Sequence, residues 1–216
     1  MTTSDPFEVV RVFERELAIY TGAKYVVTTN SCTAALFLSF LWWAKRHGPQ
    51  TVEIPARTYV SVPMVALQAG HRVRFTDYEW CDSYLMSEVG TADAAPTFLE
   101  HMYWMLSRNI FMPMCICISF HPRKPLGLST GGGAILHDDA EADEWFRRMR
   151  FDGRTAGKSV AQDMVSEVGY HLYMLPPAAA EGLQRLSVYR PGPIVQDEYP
   201  DLRKMPVFQT HPGVVR

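Results

Sequence analysis

The run Ser119-Phe-His-Pro-Arg-Lys-Pro-Leu-Gly-Leu-Ser-Thr-Gly-Gly-Gly133 places Lys124 just beyond an apolar stretch, between two prolines and ahead of a glycine cluster. A lysine held in such a fixed loop can lose solvent, drop its pKa and act as a nucleophilic amine. The commoner fate of a loop lysine is to stay solvated. Asp93, in Thr-Ala-Asp-Ala-Ala-Pro, is a carboxylate among small apolar residues at an expected strand end. Buried there it needs a partner; otherwise it is a turn or cap residue. Asn30-Ser31-Cys32-Thr33 joins a β-branched run to an apolar one. A turn of that kind aims backbone N–H groups and hydroxyls at one point, where a phosphate fits. It serves equally as an ordinary helix N-cap. Composition alone does not separate these alternatives.

The elements that must position these segments alternate between strand and helix. Residues 6–20 carry helical apolar spacing, with Asp5 as the expected N-cap. Residues 24–29 form a β-branched strand, and 34–45 a helix. A strand at 51–54, a helix at 60–68 closed by Gly70 and a strand at 72–75 follow. Residues 77–109 show no clean period and are assigned as irregular, except for a strand ending near Asp93. Strands are expected at 114–119 and 134–136. The helix at 138–150 is acidic at its start and basic at its end, as the helix dipole favours. A last helix spans 177–189, and the tail beyond it is proline-rich with little periodicity. This order predicts an α/β sheet.

The 216 residues are 47% apolar and 20% charged, with a net charge of -2. Those values suit a single sizeable core and argue against a disordered chain, a polybasic nucleic-acid binder or an acidic tail. The longest largely apolar stretch, 33–44, is too short to cross a bilayer. Residues 1–6 lack the blocks of a signal peptide, so the expected location is the cytoplasm, without membrane or nucleic-acid partners. Cys115 and Cys117, one residue apart, should share one face of a strand as small buried hydrophobes. Neither the four cysteines nor the seven histidines show a regular ligand spacing, so no metal site is expected.

Taken in order along the chain, these segments resemble the DegT/DnrJ/EryC1/StrS sugar aminotransferase family of PLP enzymes. The helix and first strand around Phe13–Tyr25, Asn30-Ser-Cys-Thr-Ala-Ala-Leu36, Pro55-Ala-Arg-Thr-Tyr-Val60, Asp93-Ala-Ala, Ser119-Phe-His-Pro-Arg-Lys124 and Gly132-Gly-Ala-Ile carry the likeness. Phe151-Asp-Gly153 and Gly169-Tyr-His-Leu-Tyr-Met174 match later landmarks. The resemblance implies an α/β, three-layer PLP-transferase fold of type I. It implies pyridoxal 5'-phosphate bound as a Schiff base to Lys124, with Asp93 on the pyridine nitrogen and Tyr59 against the ring. Ser31, Thr33 and Ser119, with backbone N–H groups near Cys32, would hold the phosphate. His121 would be a local contact beside the cofactor. The implied reaction moves an amino group, commonly from glutamate, to a keto sugar attached to a nucleotide. The implied assembly is a homodimer with its site near the interface.

The likeness has gaps. Residues 77–93 leave no room for the strand, helix and strand that members carry there, and most of the small C-terminal domain is missing after residue 189. The expected division is therefore a shortened PLP-binding domain at 1–189, with a reduced central sheet, and a remnant or tail at 190–216. Pro96 stands where members have Gln or His, His171 and Tyr173 where they have an Asn, and Cys32 where Gly is commonest. Two further readings follow from these departures: a PLP-dependent dehydratase or eliminase on an unusual substrate, and an inactive binding or assembly homologue.

Overall fold

The apolar spacing along the strands switches face at every residue, and the protein builds its two cores from that alternation. Its structure, a computed structural model, describes residues 5–108, 114–193 and 198–215. In chain order the elements are α1 (Glu8–Thr21), β1 (Tyr25–Thr29), α2 (Cys32–His47), β2 (Thr51–Pro55), α3 (Ser61–Gln68), β3 (Arg72–Thr76), β4 (Tyr84–Met86), β5 (Thr91–Asp93), α4 (Met102–Ser107), β6 (Cys115–Ser119), β7 (Gly133–His137), α5 (Ala140–Met149), α6 (Pro176–Leu186), α7 (Pro206–Thr210) and β8 (Val214–Val215). A five-stranded sheet runs β1-β7-β6-β5-β4, and a three-stranded sheet runs β2-β3-β8. In the larger sheet β5 and β6 are parallel, and β7 is antiparallel to both β6 and β1.

On one face Val27, Cys115, Cys117 and Ile135 pack with α2, α3 and α5. On the other Val26, Ile116, Ile118, Ala134 and Leu136 pack with α1, α4 and α6. Neighbouring residues of one strand thus feed opposite cores, the period of two that a sheet covered on both faces demands. Cys115 and Cys117 share a face and are buried, as their spacing predicts. Burial of Leu17, Phe13, Phe120, Leu38 and Phe146 supplies stabilisation of about 1.5–3 kcal/mol per large side chain relative to exposure.

Three expectations need correction. Asp5 does not cap α1. Phe7 holds the N-cap position without a side-chain bond, while the Asp5 carboxylate accepts the Phe7 N–H at 2.9 Å and caps the preceding turn. The stretch assigned as irregular contains β4, a 3-10 turn at Ser87–Val89, and α4. These elements are too short to show a period. The tail beyond α6 is also ordered: β8 lies parallel to β3, Phe208 meets Phe75 edge-on, and Leu202 is fully buried. Asn109, the last residue of the stretch assigned as irregular, lies outside the described residues.

A buried ion network fastens α1 and α5 to β1. The Glu14 carboxylate accepts the Thr28 N–H at 2.9 Å and the Thr28 hydroxyl at 2.8 Å, and it meets the guanidinium groups of Arg147 and Arg150. Burial acts to raise the Glu14 pKa, but Arg150, Arg147 and the Thr28 N–H outweigh it and hold the carboxyl below its ordinary 4.5. A depressed folded-state value means that the stabilisation is complete above pH 4.5 and is lost as pH falls through the folded value. Glu14→Gln leaves the buried Arg150 guanidinium without its anion, while Arg147 keeps Asp143 at 2.8 Å. We expect it to cost about 3–5 kcal/mol in urea unfolding at pH 7, and to flatten the acid limb of the stability curve below pH 4.5.

Candidate active site

Because β1, β5 and β6 run the same way and β7 opposes them, one edge of the sheet collects the carboxyl ends of three strands and the amino end of a fourth. Crevices at strand carboxyl ends are where open α/β sheets bind ligands. A cavity of about 620 Å³ opens there. Ser31, Cys32, Thr33, Tyr59, Asp93, Ser119 and Lys124, the seven residues singled out from sequence, all line it. His121 lines it as well. Pro96 is buried just behind the lining residue Ala95.

At one end of the cavity the chain passes from β1 into α2. Ser31 is the N-cap, extended in backbone, and its hydroxyl accepts the Ala34 N–H at 3.1 Å. The Cys32 and Thr33 amides open α2 ahead of that bond, at the electropositive end of a 16-residue helix. Gly133, the first residue of β7, lies beneath this turn, and a Cβ there would collide with the Cys32 nitrogen and the Ser31 carbonyl carbon. The Thr33 hydroxyl is 2.9 Å from that of Ser61, which opens α3. Hydroxyls, helix amides and a glycine-backed turn make an anion cradle.

At the other end, Asp93 closes β5, with 3% of its surface exposed. Its Oδ1 accepts the Ala95 N–H at 3.0 Å and its Oδ2 accepts the Tyr84 O–H at 3.2 Å. Burial raises its pKa, against the lowering effects of the Ala95 N–H, the Tyr84 hydroxyl and the Lys124 charge. A carboxylate this dry, with lone pairs left toward the cavity, suits a cationic N–H. The Cys32 thiol is pushed well up by burial, with Asp93 and Cys117 adding to the shift and Lys124 opposing it, and it stays neutral.

Lys124 sits on a turn built to hold it. The Lys124 N–H donates to the His121 carbonyl at 2.8 Å, and the His121 N–H donates to the Ser119 hydroxyl at 3.2 Å. Gly127 closes this loop with φ of 48°. A Cβ on it would come within 2.8 Å of the Pro122 carbonyl oxygen and 2.9 Å of that of Lys124. Further walls come from Thr58, Ser61, Trp80 and Tyr199, residues that the sequence did not flag. Ser61 stands beside Thr33 and Trp80 opposite Tyr199, while Tyr84, behind the lining, joins Thr58 to Asp93. Thr58 adjoins Tyr59 in a segment already singled out. Tyr84 and Tyr199 fall in stretches without a period and gave no local signal.

His171 and Tyr173 do not line the cavity. The His171 ring faces Asp152 at 3.1 Å, and Tyr173 packs its ring among Phe7 and Phe151 while its backbone bridges Thr29. Among the described residues no group of three or more His, Cys, Asp or Glu could hold a metal ion, and no helix is long and apolar enough to cross a membrane. Gly127→Ala tests the lysine turn. Both the left-handed backbone and the two carbonyl contacts oppose it, so an unfolding free energy lower by about 1–3 kcal/mol is expected from denaturant titration.

The sequence matches the DegT/DnrJ/EryC1/StrS aminotransferase family over residues 3–92 and 112–190. It is 24% identical over 214 residues to the UDP-4-amino-4,6-dideoxy-N-acetyl-beta-L-altrosamine transaminase of Campylobacter jejuni, covering 82% of this chain and 56% of that protein. A stretch of 70 residues is 36% identical to the spore coat polysaccharide biosynthesis protein SpsC of Bacillus subtilis, covering 32% of this chain and 18% of that one. Among solved structures, the sugar aminotransferase CalS13 of Micromonospora echinospora superposes with a TM-score of 0.66 at 16% identity, over 83% of this chain and 60% of that one. The ntda protein of Bacillus subtilis, solved with bound cofactor PMP, gives 0.64 at 18% identity, over 82% of this chain and 47% of that one. The chain thus spans little more than half of the Campylobacter relative. The structural likeness establishes a shared α/β fold, the type I aminotransferase fold. With the family match extending across most of its length, the chain belongs to the DegT/DnrJ/EryC1/StrS aminotransferase family.

Proposed function

We propose that the protein is a PLP-dependent aminotransferase that moves an amino group from an amino acid, glutamate in the first instance, to a keto sugar linked to a nucleotide. The observation that carries this reading is the convergence of Lys124, Asp93 and the Ser31–Thr33 turn on one cavity. The fit to pyridoxal 5'-phosphate rests on complementary ends. A glycine-backed helix N-terminus with hydroxyls suits a phosphate, and a buried carboxylate suits a protonated ring nitrogen. The bound cofactor supplies an electron sink for the α-carbon of the donor.

The chain's own residues do the rest. Ser31, Thr33 and Ser119 hydroxyls, with the amide of Cys32, would hold the phosphate. Asp93 would accept a hydrogen bond from the ring nitrogen and favour positive charge there. Lys124 Nζ would be the amine that anchors the cofactor and the group that holds and moves the proton at the donor carbon. Tyr59 and His121 would flank the cofactor. Residues 1–189 carry this chemistry in the proposal. Residues 190–216 are the remnant of a small domain, whose Tyr199, Pro200, Leu202 and Met205 wall the cavity. We further propose a cytoplasmic homodimer with the site near the interface. Support comes from the apolar side chains of Val160, Met164, Val168 and Leu175, which stand exposed on this chain.

The test is an absorbance titration of purified protein with PLP, followed by borohydride and by glutamate, with Lys124→Ala alongside. A visible band that borohydride fixes covalently in the parent and not in the variant is expected, with conversion to a stable pyridoxamine form on adding glutamate. Addition of a UDP-linked 4-keto sugar should then return the original band. A band that forms but yields no pyridoxamine form with any amino donor would favour dehydration or elimination. No band in folded protein would leave a binding or assembly role.

A further inference from the structure

Tyr84 lies directly across the β4–β5 ladder from Asp93. Opposite residues of an antiparallel pair project from the same face of the sheet, and here both side chains are buried. The Tyr84 O–H is committed to Asp93 Oδ2 at 3.2 Å, so the 2.8 Å contact with Thr58 Oγ1 is made by the threonine donating to the phenol oxygen. A directed chain of donors therefore runs from Thr58 through Tyr84 to Asp93. The Ala95 N–H holds the other carboxylate oxygen at 3.0 Å.

We propose that Tyr84, oriented by Thr58, is a positioning residue that fixes the Asp93 carboxylate and sets its hold on the cofactor's ring nitrogen. This role rests on the PLP reading above. Groups face Asp93 from every neighbouring element: Cys32 from α2, Thr58 from the loop after β2, Tyr84 from β4, Cys117 from β6 and Lys124 from the loop after β6. Burial, Asp93 and Cys117 push the Cys32 thiol well up, and burial does the same at Cys117. Both thiols are therefore neutral. Burial and the Asp93 charge push the Tyr84 phenol well above 10, so it remains a donor throughout the working pH range. Lys124 is then the one cation of this set, and a cofactor that engages its amine leaves Tyr84 and Ala95 to stabilise the carboxylate. Without the phenol donor the Asp93 carboxylate is more basic, and the shared proton moves from the ring nitrogen toward the carboxylate. Loss of positive charge on the ring makes the nitrogen that joins Lys124 to the cofactor hold its own proton to higher pH.

Tyr84→Phe keeps the ring and its contact with Trp80 at 4.8 Å. The measurements are the dissociation constant of PLP from the refolded or apo protein, the pH midpoint of the bound visible band, and the thermal midpoint. The dissociation constant should rise about tenfold, the loss expected for one hydrogen bond to a charged group. The pH midpoint should move up by about one unit. Thr58→Val should shift both in the same direction by less, and it decides the matter if Tyr84→Phe does not fold. A lower thermal midpoint with unchanged dissociation constant and pH midpoint in the folded variants would reduce Tyr84 to a packing residue and overturn the proposal. A parent protein that forms no lysine-linked band fails at the earlier step, and the cofactor reading falls with it.

Discussion

A buried carboxylate at the carboxyl end of β5, Asp93, sets the terms for the whole cavity. Moving such a charge out of water costs several kcal/mol even after the protein relaxes around it, so Asp93 must be surrounded by donors or give up its charge. Its neighbours answer that demand from four directions: an amide from its own strand end, a phenol from the next strand, a threonine behind the phenol, and the charge of Lys124 from the far loop. The phenol comes from the strand next to β5 in the sheet, and the lysine from the loop after the strand on its other side. The parallel pairing of β5 with β6 is what makes this possible, because it brings the exits of both strands to the same edge.

Backbone geometry then fixes the rest of the distances. The lysine turn folds back so tightly that two carbonyls crowd the site of a Gly127 side chain, and the Ser31–Thr33 turn rests so closely on β7 that Gly133 has no space for one. Both contacts rigidify loops that would otherwise sample many conformations. Lys124 is thereby held on the same rim as the α2 N-terminus, and the helix dipole and Asp93 give the two ends of the cavity opposite polarity. A ligand with an anion at one end and a cationic N–H at the other is oriented by the field before any side chain moves. The Glu14 network plays a supporting part, since it locks β1, the strand that leads into the Ser31–Thr33 turn, to two helices through one buried anion.

Much of this was legible in the sequence, and the pattern of what was not has a physical cause. Strands β1, β6 and β7 are largely buried runs of β-branched or small residues, β2 and β3 alternate buried with exposed positions, and the bounds of all five fall within a residue or two of expectation. Asp93, Lys124 and the Ser31–Thr33 turn carry local signals: a charge among alanines, a lysine between prolines, capping residues between a strand and a helix. Tyr84 carries none. Its significance comes from a three-residue strand whose register sets it opposite Asp93, and three residues are too few to show a period of two. Thr58 and Ser61 escaped notice for a similar reason, since a lone hydroxyl acquires a role only when folding brings its partner, 26 or 28 positions away, within reach.

The tail was the least legible segment and does the most to shape the outer half of the cavity. Its anchors are unlike one another. The Leu202 N–H donates to the Ala56 carbonyl at 2.9 Å, Arg203 bridges Asp77 and Asp201, Arg57 reaches the Tyr199 carbonyl, and the Tyr199 ring stacks with Trp80 at 6.0 Å. Most of these partners lie between β2 and β4. The cavity wall that the tail supplies is therefore packed against the segment between β2 and β4. Asp93, Ser119 and the Ser31–Thr33 turn come instead from strand ends that the sheet topology fixes. Under the proposed function, chemistry and selectivity would thus fall on separate parts of one fold, the first tied to β5 and β6 and the second to the tail.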